Sequence, residues 1–187
     1  PLREHFAGLM PVERAAAFLW YVEGSQWREA IHRFKYGNMW RTAYNLGRWY
    51  GAYLKQSGLY DDVDAVVPVP LHWWRRLTRG YNQSEYLADG IARELGVKVL
   101  RHSVVRHRYN KSQAQSHHAE RWDNVEGIFR VRDAASLRGK HLLLVDDVLT
   151  TGATVISLGD TILNSVEDVR LSVAVLATPR RALHIEG

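Results

Sequence analysis

The stretch HLLLVDDVLTTGAT, from His141 to Thr154, narrows the possible folds of this chain more than any other. Leu142, Leu143, Leu144 and Val145 are apolar without alternation, the pattern of a strand covered on both faces by helices, as in a parallel sheet. Asp146 and Asp147 stand at its carboxyl end, followed by Thr150, Thr151, Gly152, Ala153 and Thr154. Gly152 can adopt backbone angles that other residues resist, and Thr154 is placed to begin the next helix. The expected unit is a strand, a tight polar turn and a helix whose first N–H groups point into the turn, where they can hold a phosphate. Carboxylates beside a phosphate repel it unless they face sugar hydroxyls or a Mg²⁺ ion. The stretch therefore reads as a site for a phosphorylated sugar.

Two other readings account for parts of it. The acidic half of a nucleoside triphosphatase site also ends a strand with aspartates, but no GxxxxGK[ST] loop occurs in this sequence. A capped connection, with a threonine cap and aspartates as surface punctuation, explains either half taken alone.

At 187 residues, 46% hydrophobic and 24% charged, the chain can build one domain with a substantial core. It contains no cysteine, which excludes disulfides and thiolate-bound zinc. No run approaches the roughly 18 apolar residues that cross a bilayer, and no signal-peptide layout opens the sequence, so a cytoplasmic protein is the expectation. The formal net charge of +5 suits a polyanionic partner, whether pyrophosphate or nucleic acid.

Along the chain, residues 1–14 show no clear period. Ala15 to Val22 reads as a strand, and Trp27, Ile31 and Phe34 give a helix from Ser25 to Gly37. A second helix is expected from Met39 to Gln56, burying Tyr44 or Leu46, then Trp49, Tyr50, Tyr53 and Leu54. Residues 1–60 would form an N-terminal strand and helical cover and residues 61–187 the core, in one structural unit. AVVPVP at 65–70 reads as a central strand stopped by its prolines. In the loop that follows, Arg75, Arg76 and Arg79 form either a solvated basic loop or an anion site facing the same crevice as the turn after Val145. Leu87, Ala88, Ile91, Ala92 and Leu95 mark a helix ending at Gly96. Short strands are expected at 97–100, 103–108 and 128–131, an isolated helical turn at 121–125, a helix through Val155 to Leu163, and a last strand at 169–177. The polar stretch at 109–120 has the length of a lid. His107, His117 and His118 lack acidic or cysteine partners at a metal-ligand spacing.

These segments carry a resemblance. VDDVLTTGAT at 145–154 resembles the phosphoribosyl pyrophosphate signature of type I phosphoribosyltransferases. PVPLHWWRRLTRGYNQS at 68–84, RHRYNKSQAQSHHAERWDNVEGIF at 106–129 and FKYGN at 34–38 are similar to segments of the ComF family, competence-associated phosphoribosyltransferase-like proteins. The resemblance implies an α/β fold, with a parallel sheet of about five strands flanked by helices and a small variable N-terminal hood. It implies that Asp146 and Asp147 meet the ribose 2′- and 3′-hydroxyls, that Thr150, Thr151, Gly152, Ala153 and Thr154 cradle the 5′-phosphate, and that Arg75, Arg76, Arg79 and Lys35 bind pyrophosphate. Arg108, Lys111, Gln113 and Arg121 would belong to a flexible lid. Mg²⁺ would enter with the substrate, with Asp146 and Asp147 as possible ligands. Many members carry a four-cysteine zinc module that has no counterpart here, so no zinc is expected. The implied partners are phosphoribosyl pyrophosphate or another phosphosugar, together with single-stranded DNA or competence and recombination proteins. A rival keeps the fold as a non-catalytic regulatory or DNA-binding module, with Trp73 and Trp74 stacking bases beside the arginines. The acceptor of a transferred phosphoribose is not legible.

Overall fold

The computed structural model describes residues 2–21, 39–71, 80–107 and 127–180. A single 3-10 turn, Leu2–Phe6, precedes strand β1 (Ala15–Tyr21), helix α1 (Trp40–Gln56) and strand β2 (Ala65–Pro68). Helix α2 (Gln83–Leu95), β3 (Lys98–Val99), β4 (Val104–Arg106) and β5 (Phe129–Val131) follow. Strand β6 (His141–Val148), helix α3 (Ala153–Ser165) and β7 (Arg170–Pro179) complete the described elements. The expected helix at 25–37 and helical turn at 121–125 fall outside the described residues.

Five strands form one sheet in the order β1-β7-β6-β2-β3, every neighbouring pair parallel, and β4 and β5 form a separate antiparallel pair. This is the α/β architecture that the apolar run announced. Strand β6 lies at the centre because both of its faces are oily. Leu142 and Leu144 pack with Val67, Val173, Leu158 and Ile162, while Leu143 and Val145 pack on the opposite face with Val66, Ala174, Leu87 and Ile91. Fully burying such a side chain contributes about 1.5–3 kcal/mol, so neither face of β6 can be given to water. Val69 extends the pairing beyond β2, its N–H donating to the Val145 carbonyl at 2.8 Å. Among the described residues, no helix is long and apolar enough to cross a membrane.

The structure bears out Tyr50 and Leu54 as buried residues of α1 and corrects the expectation for Trp49 and Tyr53. Its buried residues are Ala43, Gly47, Tyr50, Gly51 and Leu54, whereas Trp49 and Tyr53 are 65% and 67% exposed. Small size decides the orientation. A Cβ on Gly47 would collide with the Leu87 carbonyl oxygen, one on Gly90 with that of Tyr44, and one on Gly51 would stand 2.9 Å from Ile91 Cα. The glycines let the backbones of α1 and α2 approach more closely than an aromatic interface would, and Trp49 and Tyr53 turn outward while Tyr50 stays inside.

Residues 2–12 also hold more structure than their lack of period suggests. Leu2, Phe6, Met10 and Val12 are buried in the cluster beneath α3. A Cβ on Gly159 of α3 would strike the Met10 sulfur, so that glycine is the notch in which Met10 sits.

Candidate functional site

In a parallel sheet the loops at the carboxyl ends of the strands share one crevice, and the chain places its polar groups there. Asp146 and Asp147 end β6, both half-buried. Asp146 Oδ1 accepts from the Ser84 hydroxyl at 3.0 Å and from the Asp147 N–H at 2.8 Å. Asp147 Oδ1 accepts from the Val148 N–H at 2.7 Å. Both carboxylates are thus held at the strand end, Asp147 by its neighbour's N–H and Asp146 by its neighbour's N–H together with the distant Ser84.

The turn that follows is anchored by Leu149, which is buried and whose N–H donates to the Ala177 carbonyl at 2.9 Å. Gly152 takes φ 77°, a left-handed conformation open to glycine, and the chain passes from it directly into α3 at Ala153. The expectation that Thr154 begins this helix is corrected: Gly152 occupies the cap and Thr154 is the second helical residue. Thr151 Oγ1 lies 3.5 Å from the Ala153 N–H, at the outer limit of a hydrogen bond. First-turn N–H groups of a helix have no partner within it, and those of α3 open toward residues 150–154. Asp146 and Val148 through Val155 enclose a small cavity of about 40 Å³ at that position.

A second cavity, of about 150 Å³, adjoins the first and shares Asp146, Val148 and Thr154 with it. Its wall includes Val69 and Pro70 just past the end of β2, Asn82, Gln83 and Ser84 from the start of α2, Arg106 from β4, and Asp147. Asn82 ties two of these elements together. It caps α2 by accepting from the Ser84 N–H at 3.2 Å and donates to the Val69 carbonyl at 3.1 Å. A larger groove of about 870 Å³ runs between the N-terminal segment and Leu163 to Leu171, away from the acid pair. Chemistry, rather than volume, marks the smaller pair of cavities as the site.

The structure therefore brings Asp146, Asp147, Thr150, Thr151, Gly152, Ala153 and Thr154 together around one crevice. Arg75, Arg76, Arg79 and Lys35, proposed for pyrophosphate, lie outside the described residues, as do Trp73, Trp74 and the lid residues Arg108, Lys111, Gln113 and Arg121. Sequence reasoning assigned no role to Asn82, Gln83, Ser84 or Arg106. The cap rule could have found Asn82, an asparagine directly before a helical period, but nothing local shows that Ser84 meets a carboxylate 62 positions away. The oxygen-only donor set of Asp146 and Asp147, facing an open cavity, fits a Mg²⁺ ion, which takes one or two carboxylates and completes its shell with substrate oxygens and water.

Residues 82–184 match the family described as "Phosphoribosyl transferase domain". Among curated proteins the chain is similar to "Competence protein F" of Haemophilus influenzae, 29% identical over 66% of this chain and 56% of that protein. It is also similar to "DNA utilization protein YhgH" of Escherichia coli K12, 33% identical over 54% of this chain and 44% of that one. A third relative is "Competence protein ComFC" of Bacillus subtilis, 35% identical over 52% and 38%. The chain spans about half the length of these relatives. The family match begins at Asn82, where α2 is capped, and runs through the acid pair and the glycine turn, covering more than half of the sequence. The chain belongs to the phosphoribosyl transferase domain family, and its similarity to curated proteins runs to those named for competence and DNA utilization.

Proposed function

We propose that this chain binds phosphoribosyl pyrophosphate with Mg²⁺ and serves a phosphoribosyl-transfer function linked to competence and the uptake of DNA. The observation that carries the reading is the junction of β6 and α3, where an acid pair and a left-handed glycine turn line adjoining cavities at the carboxyl edge of the sheet. In this reading the amides of residues 150–154 hold the 5′-phosphate while Asp146 and Asp147 accept from the ribose hydroxyls. Ser84 fixes the rotamer of Asp146, and Arg106 adds positive charge on the side where pyrophosphate would lie. By the family resemblance, Arg75, Arg76, Arg79 and Lys35 would bind the pyrophosphate, and the stretch at 109–120 would serve as the lid that excludes water from the anomeric carbon. Bound Mg²⁺ would supply charge neutralisation to the pyrophosphate. Phosphoribosyl transfer in this site rests on positioning and electrostatics, with the carboxylates orienting a ring that gains positive charge as pyrophosphate leaves. The names of the relatives support the link to DNA, and a cytoplasmic location accords with such a role.

Isothermal titration of the protein with phosphoribosyl pyrophosphate and Mg²⁺ tests this reading. The double variant Asp146→Asn/Asp147→Asn keeps the shape of the strand end and is expected to lose more than tenfold in affinity, since hydrogen bonds to charged groups contribute about 1.5–3 kcal/mol each. Unchanged affinity in a variant with native circular dichroism would remove these residues from the site. A pyrophosphate-release assay across candidate bases and amines then tests turnover and the acceptor.

A further inference from the structure

The N-terminal turn does more than fill the core. His5, at the fourth position of Leu2–Phe6, sends its ring to the far side of the 150–154 turn, where Nε2 lies 3.0 Å from the Thr151 carbonyl oxygen. A carbonyl can only accept, so Nε2 carries the proton and donates. Neither cavity of the candidate site is lined by His5, so the bond holds the turn from behind. The Thr151–Gly152 peptide is trans, as every described peptide is, and in a planar trans peptide the C=O and the following N–H point in opposite directions. Tying the Thr151 oxygen back to His5 therefore aims the Gly152 N–H away from the ring, toward the cavity enclosed by residues 148–155.

Two further features leave room for the ring and hold its turn in place. Gly152 has no Cβ, and one built there would stand 3.0 Å from His5 Nε2 and 3.2 Å from its Cδ2. Phe6 and Met10, 0% and 3% exposed, lock the turn into the core, with Met10 in the Gly159 notch of the same helix that the phosphate turn opens. A glycine in a polar turn can rotate its preceding peptide freely, and the flipped form would put a carbonyl oxygen where a phosphate must sit.

We propose that His5 is a positioning residue that holds the Thr151–Gly152 peptide with its N–H facing the anion site and its carbonyl turned away. The proposal rests on the phosphosugar reading above and adds to it a residue outside the matched family segment, at the other end of the chain.

The test compares wild type, His5→Phe and His5→Gln by titration with ribose 5-phosphate and with phosphoribosyl pyrophosphate plus Mg²⁺, alongside thermal unfolding and the ¹H–¹⁵N resonance of the Gly152 amide. Phenylalanine keeps the ring without the donor, and glutamine restores an N–H at similar reach. The expected result is a roughly three- to tenfold weaker affinity for both ligands in His5→Phe, the range of one hydrogen bond, with recovery in His5→Gln. A moved Gly152 resonance in the phenylalanine variant alone is expected as well. Equal affinity in wild type and His5→Phe overturns the proposal, as does a His5→Gln variant as weak as His5→Phe with the same loss of melting temperature, which would make the ring mere packing. If wild type binds neither ligand, the phosphosugar reading falls, and the resonance alone then decides: moved by His5→Phe and restored by His5→Gln, the peptide anchor stands; unmoved, it falls too.

Discussion

At the scale of single residues, the site depends on side chains that each serve two elements. Asn82 is the clearest case, 3% exposed, accepting from the first turn of α2 and donating to the end of β2. Asn82→Ala should cost about 1 kcal/mol for the lost cap and a further 1–2 kcal/mol for leaving the Val69 carbonyl buried and unbonded, about 2–3 kcal/mol together by urea unfolding. Asn82→Asp separates the two contributions, because a carboxylate keeps the cap acceptor but cannot donate to Val69. It should recover part of the loss, and a full recovery would show that the bond to Val69 contributes nothing. The same distinction explains what could be read from the residues beforehand. Asp146, Asp147 and the turn at 150–154 were legible because strand, turn and helix are consecutive and their spacing is local. Ser84 on Asp146 and His5 on Thr151 were not, since each contact closes a loop of 62 or 146 residues that only the fold brings together.

At the scale of elements, sequence period placed most helices and strands and found Tyr50 and Leu54 on the covered face of α1, but wrongly added Trp49 and Tyr53 to it. Counting apolar side chains favoured Trp49 and Tyr53, whereas the closest approach of two helices is set by the residues that have least to offer, here Gly47, Gly51 and Gly90. Gly47→Ala and Gly90→Ala put a methyl group against backbone atoms that cannot rotate aside, so each is expected near or above the top of the overpacking range, about 3 kcal/mol. Trp49→Gln, on the exposed face, should stay within about 0.5 kcal/mol of wild type. Chemical denaturation of the three variants checks the orientation of α1 directly, and the reverse ranking would return the aromatic face to the interior. The functional consequence follows from the packing, because α2 carries Asn82, Gln83 and Ser84 into the site at its first turn and α1 fixes where α2 lies.

At the scale of the whole molecule, the two ends of the sheet are divided between chemistry and cohesion. The carboxyl ends carry the site. At the amino ends, Asp62 receives Arg14 Nη1 at 2.6 Å and Arg170 Nη1 at 3.1 Å, and its Oδ2 stands 3.1 Å from His141 Nδ1, off the hydrogen-bond direction. His141 is fully buried, its Nε2 sharing a hydrogen bond with Ser172 Oγ at 2.8 Å and its N–H donating to Asp64 at 2.8 Å. The cluster thus joins the segments that lead into β1 and β2 to the first residues of β6 and β7. The Arg14 hydrogen bond above all, with the electrostatic influence of His141 and the Arg170 hydrogen bond, holds the Asp62 carboxyl down to about 2 against partial desolvation. A carboxylate depressed in the folded state binds its proton more readily once unfolded, where its pKa is about 3.9. Its stabilising contribution is therefore complete above about pH 4 and disappears as pH falls through about 2. Because Asp62 remains 39% exposed, solvent screens the interaction and the effect is modest. Asp62→Asn should accordingly melt below wild type by a constant margin from pH 7 to 5, with the two melting curves converging as pH drops from 4 toward 2. Parallel curves across that window would mean that the carboxyl titrates normally and that the amino ends of the sheet are held by packing alone. Phosphosugar affinity at pH 7, governed by the opposite end of the sheet, should be the same in both proteins.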